Sequence, residues 1–166
     1  SIALGYGETL WVYYSWQGKK KEAHSGRISV YKQDGTPAVG WNGQGELTAC
    51  ERSDAVDIPF PLQGLLALDI EDNLIIVDQE YGIMTKCDRN GKLLHRWGKT
   101  ETDEFGEDVS QFKTVTHPQG LAVDMFGYIY VADTEEHRIR KYYEGAWIPS
   151  WPGGKGNKPY FFNSPH

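Results

Sequence analysis

Short runs in which apolar and polar residues alternate, broken by glycine-rich turns, recur three times along the chain in one fixed order. Each repeat opens with an apolar run: Ser1–Gly5 (SIALG), Leu65–Asp69 (LLALD) and Gly120–Asp124 (GLAVD). A second run rich in β-branched and aromatic residues follows at Leu10–Ser15, Leu74–Gln79 and Ile129–Thr134. A third, Arg27–Gly35, Ile83–Gly91 and Arg138–Gly145, ends each time on a glycine. Six residues past that glycine stands a tryptophan: Trp41, Trp97 and Trp151. A period of two marks β-strands, and self-similarity at a period of about fifty to sixty residues marks a repeat architecture. No apolar stripe of helical period runs far enough to predict more than a turn or two of helix.

Each repeat therefore reads as four short antiparallel strands, a to d, joined as a meander. The a–b turns are Tyr6–Thr9, Ile70–Asn73 and Met125–Tyr128, and the c–d turns close on Gly35, Gly91 and Gly145, where glycine supplies positive φ. The insertions fall in the b–c and d–a connections: Trp16–Ser25, Asn42–Pro59 and Lys99–Val115. In a meander those connections share one end of the sheet, so the length variation builds one face, where a binding surface is expected. Its candidate residues are Trp16, Lys19, Lys20, Lys21, His24, Phe105 and His117, with a protein or glycan as ligand. The spans are 1–58 for the first repeat with its insertions, 59–111 for the second, and 112–166 for the third with a trailing lead-in.

Composition narrows the partners. Nineteen glycines and 13% aromatic residues suit an all-β protein with many turns. The net charge of −6 argues against nucleic acid, which needs phosphate-neutralising cations. Lys19–Lys21, the one basic run, reads as a solvated loop tip. No stretch approaches the ~20 apolar residues of a membrane span. The chain opens on Ser1 in mid-strand rather than on Met, as a processed chain or a fragment does. That start, with a Tyr/Trp/Gly-rich and Lys-poor composition, favours an extracellular or secreted protein. Cys87 takes the strand position of Tyr31 and Tyr142 and is expected as a buried thiol, a Cys50–Cys87 disulfide being the alternative.

The third repeat resembles the NHL repeat, a β-propeller blade, through Pro118-Gln-Gly-Leu-Ala-Val-Asp124, Tyr128-Ile-Tyr-Val-Ala-Asp-Thr134 and His137-Arg-Ile-Arg-Lys-Tyr142. The second keeps Gln63-Gly64, Asp69, Asp78 and Asp88-Arg-Asn-Gly91, and the first is the most divergent, with Gly5 and Tyr14 in place of aspartates. The resemblance implies three four-stranded propeller blades per chain. Peptidyl-hydroxyglycine amidating lyases also resemble this chain, and they hold zinc with histidines that follow a proline ahead of strand a. Pro165-His166 is similar to that motif, but Gln119 and Gln63 stand near the equivalent places, too few histidines for the three protein ligands of a catalytic zinc.

The two ends complement each other. The tail Phe162-Asn-Ser-Pro-His166 is the lead-in to a strand a, and Ser1-Ile-Ala-Leu is a strand a without one. Three blades cannot close a ring, and six to eight usually do. The expected assembly is a six-bladed ring of two copies joined head to tail. Its junction is built from Ser1, Ile2, Tyr160, Phe161, Phe162, Pro165 and His166. A head-to-tail polymer and a piece of a longer propeller chain remain as alternatives. Asp69, Asp78, Asp124 and Asp133 recur at fixed positions; a calcium ring is one reading, and satisfaction of turn amides is the one preferred. The expected role is a non-catalytic scaffold without a bound metal. The rival is a metal-dependent lyase or hydrolase with zinc or calcium at the pore, for which His166 is the single metal candidate.

Overall fold

The alternating runs fold as three four-stranded antiparallel sheets, and the described chain holds no helix. The structure, a computed structural model, describes residues 1–5, 9–15, 26–39, 45–51, 58–98, 115–149, 153–156, 159 and 161–166. Sheet I comprises β1 (Ile2–Leu4), β2 (Thr9–Ser15), β3 (Gly26–Lys32) and β4 (Glu46–Leu47) in that order. A small hairpin follows, β5 (Ala49–Cys50) with β6 (Ile58–Pro59). Sheet II comprises β7 (Gly64–Leu68), β8 (Leu74–Asp78), β9 (Met84–Cys87) and β10 (Leu93–Trp97). Sheet III comprises β11 (Pro118–Val123), β12 (Ile129–Asp133), β13 (Arg138–Tyr143) and β14 (Ala146–Trp147). The first strands of the sheets, β1, β7 and β11, lie side by side. This blade-like arrangement fits a β-propeller.

Period-2 alternation gives each sheet two faces, and the middle sheet buries both. Ile28, Val30, Trp11 and Tyr13 of sheet I pack against Leu66, Leu74 and Ile76 of sheet II in one core. Ile75, Val77, Met84 and Trp97 of sheet II pack against Ile129, Val131 and Tyr142 of sheet III in a second. A middle strand buried on both faces needs an unbroken apolar run, and Leu74-Ile-Ile-Val77 is one. Tight turns hold the meander. The Asp69 carboxylate accepts the backbone amides of Glu71 (3.0 Å) and Asn73 (2.9 Å), and Asp124 does the same for Phe126 (2.9 Å) and Tyr128 (3.0 Å). Gly35, Gly91 and Gly145 take φ near +80° in the c–d turns.

Two features depart from the simple meander. The outer edge of sheet I is split: Pro37 bridges Tyr31, and β4 pairs further along with Ile28 and Ser29. The connection after it forms the β5–β6 hairpin, whose Glu51 pairs with the outer edge of sheet II through Glu51 N–H to Gly91 O (2.7 Å) and Leu93 N–H to Glu51 O (2.9 Å). Cys87, expected as a buried thiol, is bonded to Cys50. The reason is volume: Cys87 occupies a core position that holds a tyrosine in the other two sheets, and the hairpin swings Cys50 into the space.

Candidate functional site

Of the residues expected on the insertion-bearing face, Trp16, Lys19, Lys20, Lys21, His24 and Phe105 lie outside the described residues, as do Tyr160, Trp41 and Trp151. His117 is exposed, and its carbonyl accepts the Thr134 amide at 3.1 Å. Among the described residues no three His, Cys, Asp or Glu side chains converge on a metal position. Asp133 is fully buried and binds Arg140 Nε at 2.6 Å, with the Thr116 hydroxyl at 3.3 Å. Its ion pair is with Arg140, while Arg138 reaches Glu136.

Of the expected junction residues, Ser1 and Ile2 lie at the first strand of sheet I, and Pro165 and His166 lie on sheet III. At one side the Ser1 ammonium donates to Tyr13 O (3.2 Å), and Ser1 Oγ accepts the Leu66 amide (3.0 Å), seating the chain start on the first strand of sheet II. At the other, Thr134 Oγ1 donates to Pro165 O (2.6 Å) and the Ser164 amide donates to His137 Nδ1 (3.1 Å). Gln79 follows β8 as Thr134 follows β12, and its side-chain amide donates to Pro118 O (3.1 Å). Pro165 thus lies on sheet III as Pro118 lies on sheet II. A Cβ added at Gly120 would fall 2.8 Å from the carbonyl carbon of His166, so the tail runs directly against the first strand of sheet III. Phe162 N–H donates to Gly154 O (2.9 Å), and the Phe161 ring rests on Gly154 and Gly156 while staying 45% exposed.

Strand register turns the outer sides into a comparison. Leu74 pairs with Leu68 and Cys87; Ile129 pairs with Val123 and Tyr142; Leu10 pairs with Leu4 and Tyr31. Leu66 with Ile76, Leu121 with Val131 and Ile2 with Val12 complete the three sets. In sheets II and III these side chains belong to the inter-sheet cores. In sheet I the same positions are less covered: Leu4 is 78% exposed and Ile2 65%, while Leu10, Val12 and Tyr31 are half-buried. Beyond this apolar face Glu46 accepts from Tyr14 and Arg27, bonds that hold its carboxyl below the usual range.

The outer face of sheet III repeats the face that sheet II turns toward it. Ile75 pairs with Ala67 and Lys86, and Tyr130 pairs with Ala122 and Lys141. Lys86 Nζ lies 2.9 Å from Asp69. Burial alone would raise the Asp69 pKa, but Lys86, the Asn73 side chain and the turn amides outweigh it and hold it low. Lys141 Nζ sits 3.7 Å above the Tyr128 ring, and the Tyr130 hydroxyl donates to Asp124 at 2.9 Å.

A feature unforeseen in the sequence is a cleft of about 400 Å³ between sheets II and III, at the end carrying the a–b and c–d turns. Asp69, Lys86 and Trp97 line it from sheet II, and Met125, Phe126 and Tyr143 from sheet III. Trp97 was visible as a recurrent tryptophan, but not the gap beside it.

These features define the class: an all-β protein of blade-like four-stranded sheets. No family model matches the chain, and no curated protein matches it. Among solved structures it is similar to a structural genomics protein of unknown function from Bacteroides thetaiotaomicron, at 15% identity and a TM-score of 0.52 over 89% of this chain and 34% of that one. A protein of unknown function from Bacteroides caccae matches at 10% identity and a TM-score of 0.40, over 89% of this chain and 43% of that one. The first likeness supports the fold alone. The chain spans about a third of that protein's length.

Proposed function

We propose that the chain is a three-blade arc of an NHL-type β-propeller, and that it acts as a non-catalytic scaffold completed head to tail by a second copy. The observation that carries this reading is the equivalence of Ile2, Leu4, Leu10, Val12 and Tyr31 to residues that sheets II and III each bury against the sheet before them. An apolar face of that pattern is the docking half of a blade–blade interface, and a contiguous exposed patch of this kind marks an interaction surface. The opposite half is offered by Ala122, Tyr130 and Lys141 on sheet III. The Pro165–His166 tail lies on sheet III as Pro118 lies on sheet II, which supports the reading that Ser1 of a second copy would follow it. Two copies make six blades, a number that closes. The insertion-bearing face of that ring is where a protein or glycan would bind, in an extracellular setting that the Cys50–Cys87 disulfide favours.

A second reading has its own support. The Bacteroides thetaiotaomicron protein is about two and a half times as long, so the remaining blades would then come from the same polypeptide. Images of single particles of the 166-residue chain separate the two. Closed rings with two-fold symmetry are expected; isolated three-blade wedges or open filaments would overturn closure by a second copy.

A further inference from the structure

We infer that the cleft between sheets II and III docks a peptide segment of a partner protein in which a lysine or arginine stands beside a bulky apolar residue. The cleft lies at the end of the sheets away from the insertion-bearing face. Both of its walls belong to this chain, so the site does not depend on ring closure. Large apolar side chains left in water converge here. Ile70 and Leu94 on the sheet II wall, and Met125, Phe126 and Tyr143 on the sheet III wall, are all exposed and all line the cleft. Phe126 is 69% exposed and Met125 64%. Scattered singly, such residues are ordinary, but gathered around one concavity of about 400 Å³ they mark an interaction surface.

Charge at the rim decides the occupant. Glu71 stands in the a–b turn of sheet II and Glu144 in the c–d turn of sheet III, one on each wall and both exposed. Neither has an ion-pair partner among the described residues. Of the basic groups in the lining, Lys86 is held by Asp69 at 2.9 Å and His95 packs edge-on to Trp97. The cleft therefore offers apolar surface between two uncompensated carboxylates, in a chain of net charge −6. A complementary partner carries an apolar side chain to cover Phe126 and Met125 and a cation to meet Glu71 or Glu144, and the field of the chain steers it inward. A polyamine supplies the cation without the apolar surface. An anionic lipid surface meets like charge at the rim, and so does a second copy of this acidic chain.

The test is fluorescence anisotropy on the 166-residue protein with three labelled heptapeptides. One is Gly-Leu-Lys-Phe-Arg-Leu-Gly; the second has glutamates in place of its cations, and the third serines in place of its apolar residues. The first is expected to bind saturably, and the other two about tenfold more weakly or not at all. Raising the salt from about 0.05 to about 0.5 M should weaken it, because charges at an exposed rim are screened. Phe126→Ala, and the double change Glu71→Gln with Glu144→Gln, alter exposed side chains only. Each is expected to weaken binding about tenfold while the circular dichroism spectrum is unchanged. Should one of these variants fail to fold, the other decides. No binding of the first peptide, equal binding of all three, or binding that neither variant weakens would overturn the inference. So would sedimentation of the protein with phosphatidylserine vesicles in place of peptide binding. A chain that binds the peptide but stays at the mass of one copy would count against completion by a second copy only.

Discussion

Gly26 stands where sheet I meets the lead-in to sheet II, and a Cβ there would lie 2.2 Å from the Pro61 carbonyl and inside the Tyr13 hydroxyl. The Tyr13 hydroxyl itself donates to Pro61 O, joining the two sheets, and its burial raises its pKa. Backbone cannot yield as a flexible side chain does, so Gly26→Ala is expected to destabilise by about 1–3 kcal/mol. A urea midpoint unchanged from wild type would contradict that packing. Asp69 gives a pH signature. Its folded-state pKa lies below the unfolded value of about 3.9. The stability it contributes is fully present above the unfolded pKa and is lost as pH falls through the folded one. The gap in denaturation midpoint between wild type and Asp69→Asn should therefore hold at neutral pH and narrow below about pH 4. A gap that widens on acidification would refute the Lys86–Asp69 account. The turn-capping role of Asp69 and Asp124 was legible from their recurrence at the a–b turns. The buried Asp133–Arg140 pair was not, because register alone does not say which arginine turns inward.

At the scale of elements, the inner strands and tight turns were readable because side-chain alternation and glycine turns are local properties. The outer edges were not. β4 and β10 each pair with one strand of their own sheet, so tertiary contacts set their course: sheet I splits its edge around Pro37, and the β5–β6 hairpin takes up the edge of sheet II. That hairpin brings Cys50 to Cys87, a pairing 37 residues apart in sequence whose geometry no local pattern specifies. Closing a loop of this length is worth about 4 kcal/mol in the chain-entropy description. Reduction, or Cys50→Ser, is expected to lower unfolding free energy by up to that amount. Equal denaturation curves with and without reductant would show that the bridge does not form. The inter-sheet cleft escaped the sequence for the same reason, since Trp97 and Phe126 lie on different sheets.

For the whole molecule, the decisive contrast is between a middle sheet covered on both faces and two outer sheets each covered on one. The tail's seat on sheet III was legible in outline, because Phe162-Asn-Ser-Pro-His166 resembles the lead-in that carries Pro118. The candidate residues of the insertion-bearing face, His117 apart, lie outside the described residues. Leu4 separates folding from assembly: it is 78% exposed in the single chain, so Leu4→Lys should leave the fold intact while placing a charge on the proposed docking face. The most direct measurement is the mass of the 166-residue chain in native buffer. Wild type is expected at about 38 kDa, twice the 18.8 kDa of one chain, with Leu4→Lys folded at the single-chain mass. A wild-type chain that stays folded at 18.8 kDa, its apolar side open to water, would contradict completion by a second copy.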